Sequence, residues 1–198
     1  MINFIMQMIG NTPIEIIAVI CGFINVLLII KRSIWNYPFG LVMVLLYCKI
    51  FYDYQLYSDS VLQIFFFVMQ IYGLYNWRQS NKYAGEIVVE KLNHRLISIY
   101  AMCTVVGWLI WSLMLDAYTE ASYVYWDAAI AALSVTAQIL LAKRFIENWY
   151  LWITVDVLAI ALFAIKGLYP TSALYFVFLI MASIGFFTWR KKLLMESK

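Results

Sequence analysis

The chain has 198 residues, 65% of them apolar and 13% charged, against roughly half and about a quarter in soluble domains, which excludes a soluble globular fold. Its formal charge of +3 is spread too thinly for a nucleic-acid footprint, so no nucleic acid is expected as partner, and the lipid bilayer is. Cys21, Cys48 and Cys103 lie far apart, and the single His94 has no ligand-like neighbour, so neither a disulfide framework, a metal site nor a cofactor is expected.

Seven segments approach the roughly 20 apolar residues that cross a bilayer. In chain order they run 14–30, 36–53, 58–77, 95–115, 124–142, 148–165 and 170–189. Lys31-Arg32-Ser33 divides the first two, and Asp53 and Asp59 mark the weakly polar joint after the second. The polar stretch 78–94 reads as a long loop, and 116–122, Lys143-Arg144 and 167–170 are the remaining breaks. The first span has no cationic leader and no small-residue cleavage site, so it is expected to be retained rather than removed as a signal peptide. The expectation is one all-α membrane domain over 1–198 with seven transmembrane helices.

Positively charged loops stay in the cytoplasm. With seven spans, Lys31, Arg32, Arg78, Lys82, Lys91, Arg95, Lys143, Arg144, Arg190, Lys191, Lys192 and Lys198 share one side with the C-terminus. Asp53, Asp59, Asp116 and Glu120 occupy the other, where Lys49 and Lys166 are the exceptions. The N-terminus is therefore expected outside and the C-terminus in the cytoplasm, across the cell's inner membrane.

At an offset of 112 residues the two ends of the chain coincide without a gap. Lys31-Arg32 falls on Lys143-Arg144, Asn36 on Asn148, Ser60 on Ser172, Phe66 on Phe178, Gly73 on Gly185 and Trp77-Arg78 on Trp189-Arg190. Each unit holds three spans, an odd number, yet both carry their cations at equivalent places. The fourth span must then be a reversing linker, giving a 3+1+3 plan: 14–78, linker 95–115, and 124–190. Parallel repeats of this kind are a transporter architecture with the substrate near the midplane.

Polar side chains at membrane depth locate the pathway, because they are costly anywhere else. Span three aligns Asp59, Gln63, Phe66 and Gln70 on one helical face, and span six aligns Trp149, Trp152 and Asp156 after Asn148. Span two offers Asn36, Gly40, Met43 and Tyr47, and span five Asp127, Ser134 and Gln138. Asn36 and Asn148 stand where an amide caps the free N–H groups of a helix start. Gln63 and Gln70 serve equally as interhelical hydrogen bonders or ligand contacts. Trp77 and Trp189, each beside an Arg, read as interface belt. Trp152, one turn inside its span, reads as a stacking surface, and Asp156 as a mid-span carboxylate with no Lys or Arg at its depth.

Asn36-Tyr37-Pro38-Phe39-Gly40, Leu56-Tyr57, Leu62-Gln63, Tyr72-Gly73 through Trp77, Trp126-Asp127 and the run 143–149 with Trp152 together resemble the PnuC vitamin transporters over about residues 14 to 190. The resemblance implies a fold related to the SWEET sugar transporters and facilitated uptake of nicotinamide riboside or, as in PnuT relatives, thiamine. It also suggests a homotrimer. The family's site positions fall on Asn36, Gln63, Trp149 and Trp152. Met43 and Asp156 stand where nicotinamide riboside carriers have Asn. A carboxylate pairs well with an aminopyrimidine, which favours thiamine, while family frequency places nicotinamide riboside first.

No nucleophile, base or metal constellation of an enzyme is visible, and no filter-like loop of a channel. A passive scaffold would not need Asp59, Gln63, Gln70, Gln138 and Asp156 turned inward. No phosphate-binding loop or defensible ion site supplies energy, so transport is expected to equilibrate its substrate.

Overall fold

A computed structural model describes Gly10 and residues 12–118 and 123–196; Glu120 and Lys198 of the charge argument lie outside them. The described residues form seven helices: α1 Pro13–Ile30, α2 Asn36–Asp53, α3 Tyr57–Ala84, α4 His94–Tyr118, α5 Val124–Ala142, α6 Asn148–Ile165 and α7 Tyr169–Glu196. Of these, α1, α4, α5, α6 and α7 are long and apolar enough to cross a membrane. Helix α1 starts on a capping box, with the Glu15 amide donating to Thr12 Oγ1 at 3.2 Å and the Thr12 amide to Glu15 Oε2 at 3.1 Å.

Helix α3 runs seven residues past its expected end. Nothing in 78–84 breaks a helix, and the stop comes only at Gly85, whose φ of +73° is a left-handed cap. Helix α7 likewise continues past Trp189 to Glu196.

Six helices close a ring in which α1 packs on α2, α2 on α3, α3 on α5, α5 on α6, α6 on α7 and α7 on α1. Among the described residues helix α4 packs on α5 alone and presents an apolar outer face that includes Met102, Val106, Ile110 and Leu113. The triplets α1–α3 and α5–α7 meet through reciprocal contacts. Trp77 Nε1 donates to the Leu141 carbonyl at 3.2 Å, and Trp189 Nε1 to that of Ile29 at 3.1 Å. Tyr37 meets Trp77 edge-on at 5.4 Å between centroids, and Trp149 meets Trp189 edge-on at 5.5 Å. Ser60 Oγ donates to the Cys48 carbonyl and Ser172 Oγ to that of Ile160, both at 3.0 Å. Left-handed backbone occurs at Arg32 and Arg144, and at Gln55 and Gly167.

Trp77 and Trp189 are thus no interface belt. Both have 0% exposure, because each indole seals the seam between triplets and spends its one N–H on a carbonyl across it. Their position beside Arg78 and Arg190 marks the helix end without marking the lipid surface.

The stretch 85–93, expected as a polar loop, is instead a strap over the end of the ring that carries Lys31, Arg32, Lys143 and Arg144, hereafter the basic end. Its Ile87, Val89 and Leu92 are buried. Glu90 pairs in parallel with the chain at Phe145, through Glu90 N to Arg144 O at 3.0 Å and Ile146 N to Glu90 O at 2.9 Å. Arg32 Nη1 donates to the Ile87 carbonyl at 2.7 Å. Arg144 donates to the carbonyls of Val88 and Asn76 and pairs with Glu90. Glu86 holds Lys192 at 3.0 Å and Arg32 at 3.6 Å. The Lys192 hydrogen bond, with Arg32 behind it, keeps the Glu86 carboxyl below the usual carboxylate range.

Two glycines are needed where these rings pack. A Cβ on Gly185 would overlap the Trp149 indole, and one on Gly73 would stand 2.6 Å from the Tyr37 hydroxyl oxygen. Gly185→Ala is expected to cost about 1–3 kcal/mol through overpacking, at roughly 2–4 °C per kcal/mol for a chain of this size. Gly107, where a Cβ meets nothing within 4 Å, is the control. A thermal unfolding midpoint that stays put in Gly185→Ala would refute the packing argument.

Candidate functional site

The helix starts at Asn36 and Asn148 differ from the expected caps. Each amide nitrogen donates backwards, to Ser33 O and Phe145 O, both at 2.6 Å. The left-handed turns at Arg32 and Arg144 leave those loop carbonyls pointing at the helix start, so a donor is what the site needs. Both asparagines are buried, and their backward bonds give them a structural task.

Met43 lies between α1 and α2, with its sulfur 3.2 Å from the place a Cβ on Gly22 would take; it fills a crossing. Asp59, in the first turn of α3, is exposed and lies in the field of Asp127 and Lys166 from the other triplet. Lys166 and Lys49, the two exceptions to the charge rule, are both paired at 2.8 Å, with Asp127 and Asp53 respectively. Gln63 and Phe66 are half-buried on α3.

The two tryptophans of α6 separate. Trp149 is 2% exposed, enclosed between Gly185 and Trp189, and its Nε1 has no hydrogen-bond partner. Trp152 is half-buried beside the same core and sits one turn farther from the basic end.

Asp156 is 4% exposed and stands at the middle of α6, a helix about 27 Å long at 1.5 Å per residue. On the helix it lies four residues beyond Trp152, on the same face. Among the described residues it has no hydrogen bond or ion pair. Gln70 and Gln138 are also buried, and among the described residues neither makes a hydrogen bond, so of the two readings of Gln70 the interhelical bond is not seen. Gln70, Gln138 and Asp156 are thus buried polar side chains with hydrogen-bonding capacity to offer a ligand.

Asn25 was missed. It is the one buried polar side chain of α1, and its Nδ2 donates to the Asn36 carbonyl at 2.8 Å. A lone amide in an apolar run was the available signal.

Comparison with known proteins places this arrangement. The family model described as nicotinamide mononucleotide transporter matches residues 12–191. The nicotinamide riboside transporter PnuC of Escherichia coli is 30% identical over 201 residues, covering 89% of this chain and 84% of its own. The riboflavin/roseoflavin transporter RibM of Streptomyces davaonensis is 24% identical over 88% of this chain and 83% of its own. The crystal structure of the vitamin B3 transporter PnuC superposes with a TM-score of 0.73 at 27% identity, covering 89% of this chain and 80% of that one. The chain is a multi-pass, all-α membrane protein and belongs to the nicotinamide mononucleotide transporter family.

Proposed function

We propose that this protein carries nicotinamide riboside across the membrane, through the ring of six helices, by facilitated diffusion. The observation that carries this reading is Asp156: a buried mid-span carboxylate with no partner among the described residues, one turn from a half-buried indole. A pyridinium ring supplies the missing positive charge to Asp156 and a face to Trp152. The phosphorylated form suits the same place poorly, since its phosphate would meet Asp59, Asp127 and Asp156 with Lys166 already paired. The relatives named for nicotinamide riboside support this choice. Thiamine is the second reading, favoured by the pairing of a carboxylate with an aminopyrimidine. The proposed contacts are Gln63, Phe66, Gln70, Gln138, Trp152 and Asp156. Asn36, Met43, Asn148 and Trp149 support them as packing, and Asp59 lies at the mouth.

The seven helices are proposed as seven spans in a 3+1+3, SWEET-like parallel repeat, with units 14–78 and 124–190 and linker 95–115. The support is that the indole bonds, the edge-on ring pairs, the serine bonds and the asparagine bonds of one triplet recur 112 residues on in the other. The basic end is proposed to face the cytoplasm of an inner membrane, with the N-terminus outside, from the charge rule alone. The homotrimer suggested by the resemblance is assigned to the apolar outer face of α4.

Reconstituted in vesicles without ion gradients, the protein is expected to equilibrate labelled nicotinamide riboside. Accumulation that collapses with an ionophore would replace facilitated diffusion by coupling, and no uptake of either vitamin would remove the assignment.

A further inference from the structure

The triplets meet along two seams, α3 on α5 and α7 on α1, and the likeness between them breaks at the basic end. Across the α3–α5 seam, Trp77 Nε1 donates to the Leu141 carbonyl, Asn76 Nδ2 to that of Ala142 at 2.9 Å, and Arg144 Nη1 to that of Asn76 at 3.1 Å. The strap runs over this seam and ties both of its sides. Its Val88 amide donates to Ser80 Oγ of α3 at 3.0 Å, and its Leu92 amide to Glu147 Oε2 at 3.2 Å, past the bridge at Glu90. The α7–α1 seam is poorer. Among the described residues one hydrogen bond joins its helices, from Trp189 to Ile29, and deeper in the seam Phe23 stacks on Phe178 at 5.2 Å between centroids. Thr188, 112 residues on from Asn76, turns its hydroxyl back to Ile184 of its own helix at 2.7 Å. What spans the seam above them is Glu86, whose carboxylate takes Lys192 of α7 at 3.0 Å and Arg32, in the loop after α1, at 3.6 Å.

We propose, on the transport reading above, that the basic end opens at the α7–α1 seam while the α3–α5 seam stays joined and turns, and that Glu86 is the residue that holds the opening seam shut. Parting α3 from α5 would strip the Leu141, Ala142 and Asn76 carbonyls of their donors at once, and groups left unmet in this way are costly. Parting α7 from α1 costs one indole bond, the sliding of one stacked ring pair and a carboxylate bridge whose acid is 44% exposed. Water replaces the partners of an ion pair that exposed at little cost. The strap follows the turning side without breaking, because its backbone partner is the loop 144–146 and its anchor on α3 is Ser80. From it, Glu86 and the Ile87 carbonyl reach to the other seam. One seam acts as a hinge made of hydrogen bonds, and the other as an edge closed by charge.

The test reads both seams by distances between spin labels on the full chain in lipid vesicles, with Cys21, Cys48 and Cys103 replaced by alanine. Labels at Lys31→Cys and Lys191→Cys span the α7–α1 seam, and labels at Arg78→Cys and Lys143→Cys span the α3–α5 seam. With nicotinamide riboside present, Glu86→Gln should raise the longer-distance population of the first pair severalfold and leave the second pair as it was. Lys192→Met carries the same expectation if Glu86→Gln does not fold. Glu90→Gln loosens the strap on the Arg144 side alone and should leave the first pair at its wild-type distribution. Widening of both pairs together, or a first pair that ignores both Glu86→Gln and Lys192→Met, overturns this inference. Uptake of labelled nicotinamide riboside into vesicles holding the same unmutated chain separates the two readings. Uptake with a seam that does not respond leaves the transport reading standing without this inference, and no uptake overturns both.

Discussion

Alanine at Trp152 is expected to weaken binding of a flat heteroaromatic cation by more than tenfold. An indole stacked on such a ring gains about 2 kcal/mol or more from cation–π attraction once water is excluded, and each ~1.4 kcal/mol is a factor of ten. The neighbouring tryptophan sets the contrast. Trp149 is enclosed between Gly185 and Trp189, so Trp149→Ala should empty a core position and cost about 3–5 kcal/mol of stability. Affinity should therefore fall in Trp152→Ala while its unfolding midpoint moves little, and the midpoint should fall in Trp149→Ala. Equal affinity in Trp152→Ala and the wild type would take Trp152 out of the site.

Asp156→Asn keeps the shape and removes the charge, and two opposite effects are expected. Affinity for the cationic ligand should drop at least tenfold, and any preference for thiamine should shift towards nicotinamide riboside. Stability in the ligand-free protein should hold or rise, because a buried carboxylate without a partner opposes folding and an amide opposes it less. Titration of both vitamins beside unfolding curves measures the two effects together. A residue that only packs would show the reverse, with binding intact and stability reduced.

The helices were legible because apolar length alone announces them: the expected starts of α2, α5 and α6 at 36, 124 and 148 are those observed. Their ends were less so, since the run 78–84 is polar yet perfectly helical until Gly85 forces the stop. The strap was hidden for a related reason. Ile87 and Val89 look incidental among Glu86, Glu90 and Lys91, and only the arginines of two distant loops make them core. The same holds for Trp77 and Trp189, whose burial depends on carbonyls across the seam between the triplets. Within the candidate site, helical spacing put Trp149, Trp152 and Asp156 on one face. It could not say which indole Gly185 encloses, nor that Asn25 reaches across a loop to Asn36.

The polar ties of the ring are unequal at its two ends. At the basic end, two indole bonds join the triplets, and the strap binds Arg32 and Lys192 through a single carboxylate. At the far end, Lys49–Asp53 and Tyr54–Glu15 stay within the first triplet, and Lys166–Asp127 within the second. Among the described residues the polar ties between triplets thus gather where the arginines are, like the fastened end of a pair of tweezers. A passenger leaving past that end must wait for buried tryptophans to part. The speed of transport is then set by the fastening and not by the grip, so loosening Glu86 should quicken release and leave affinity as it was.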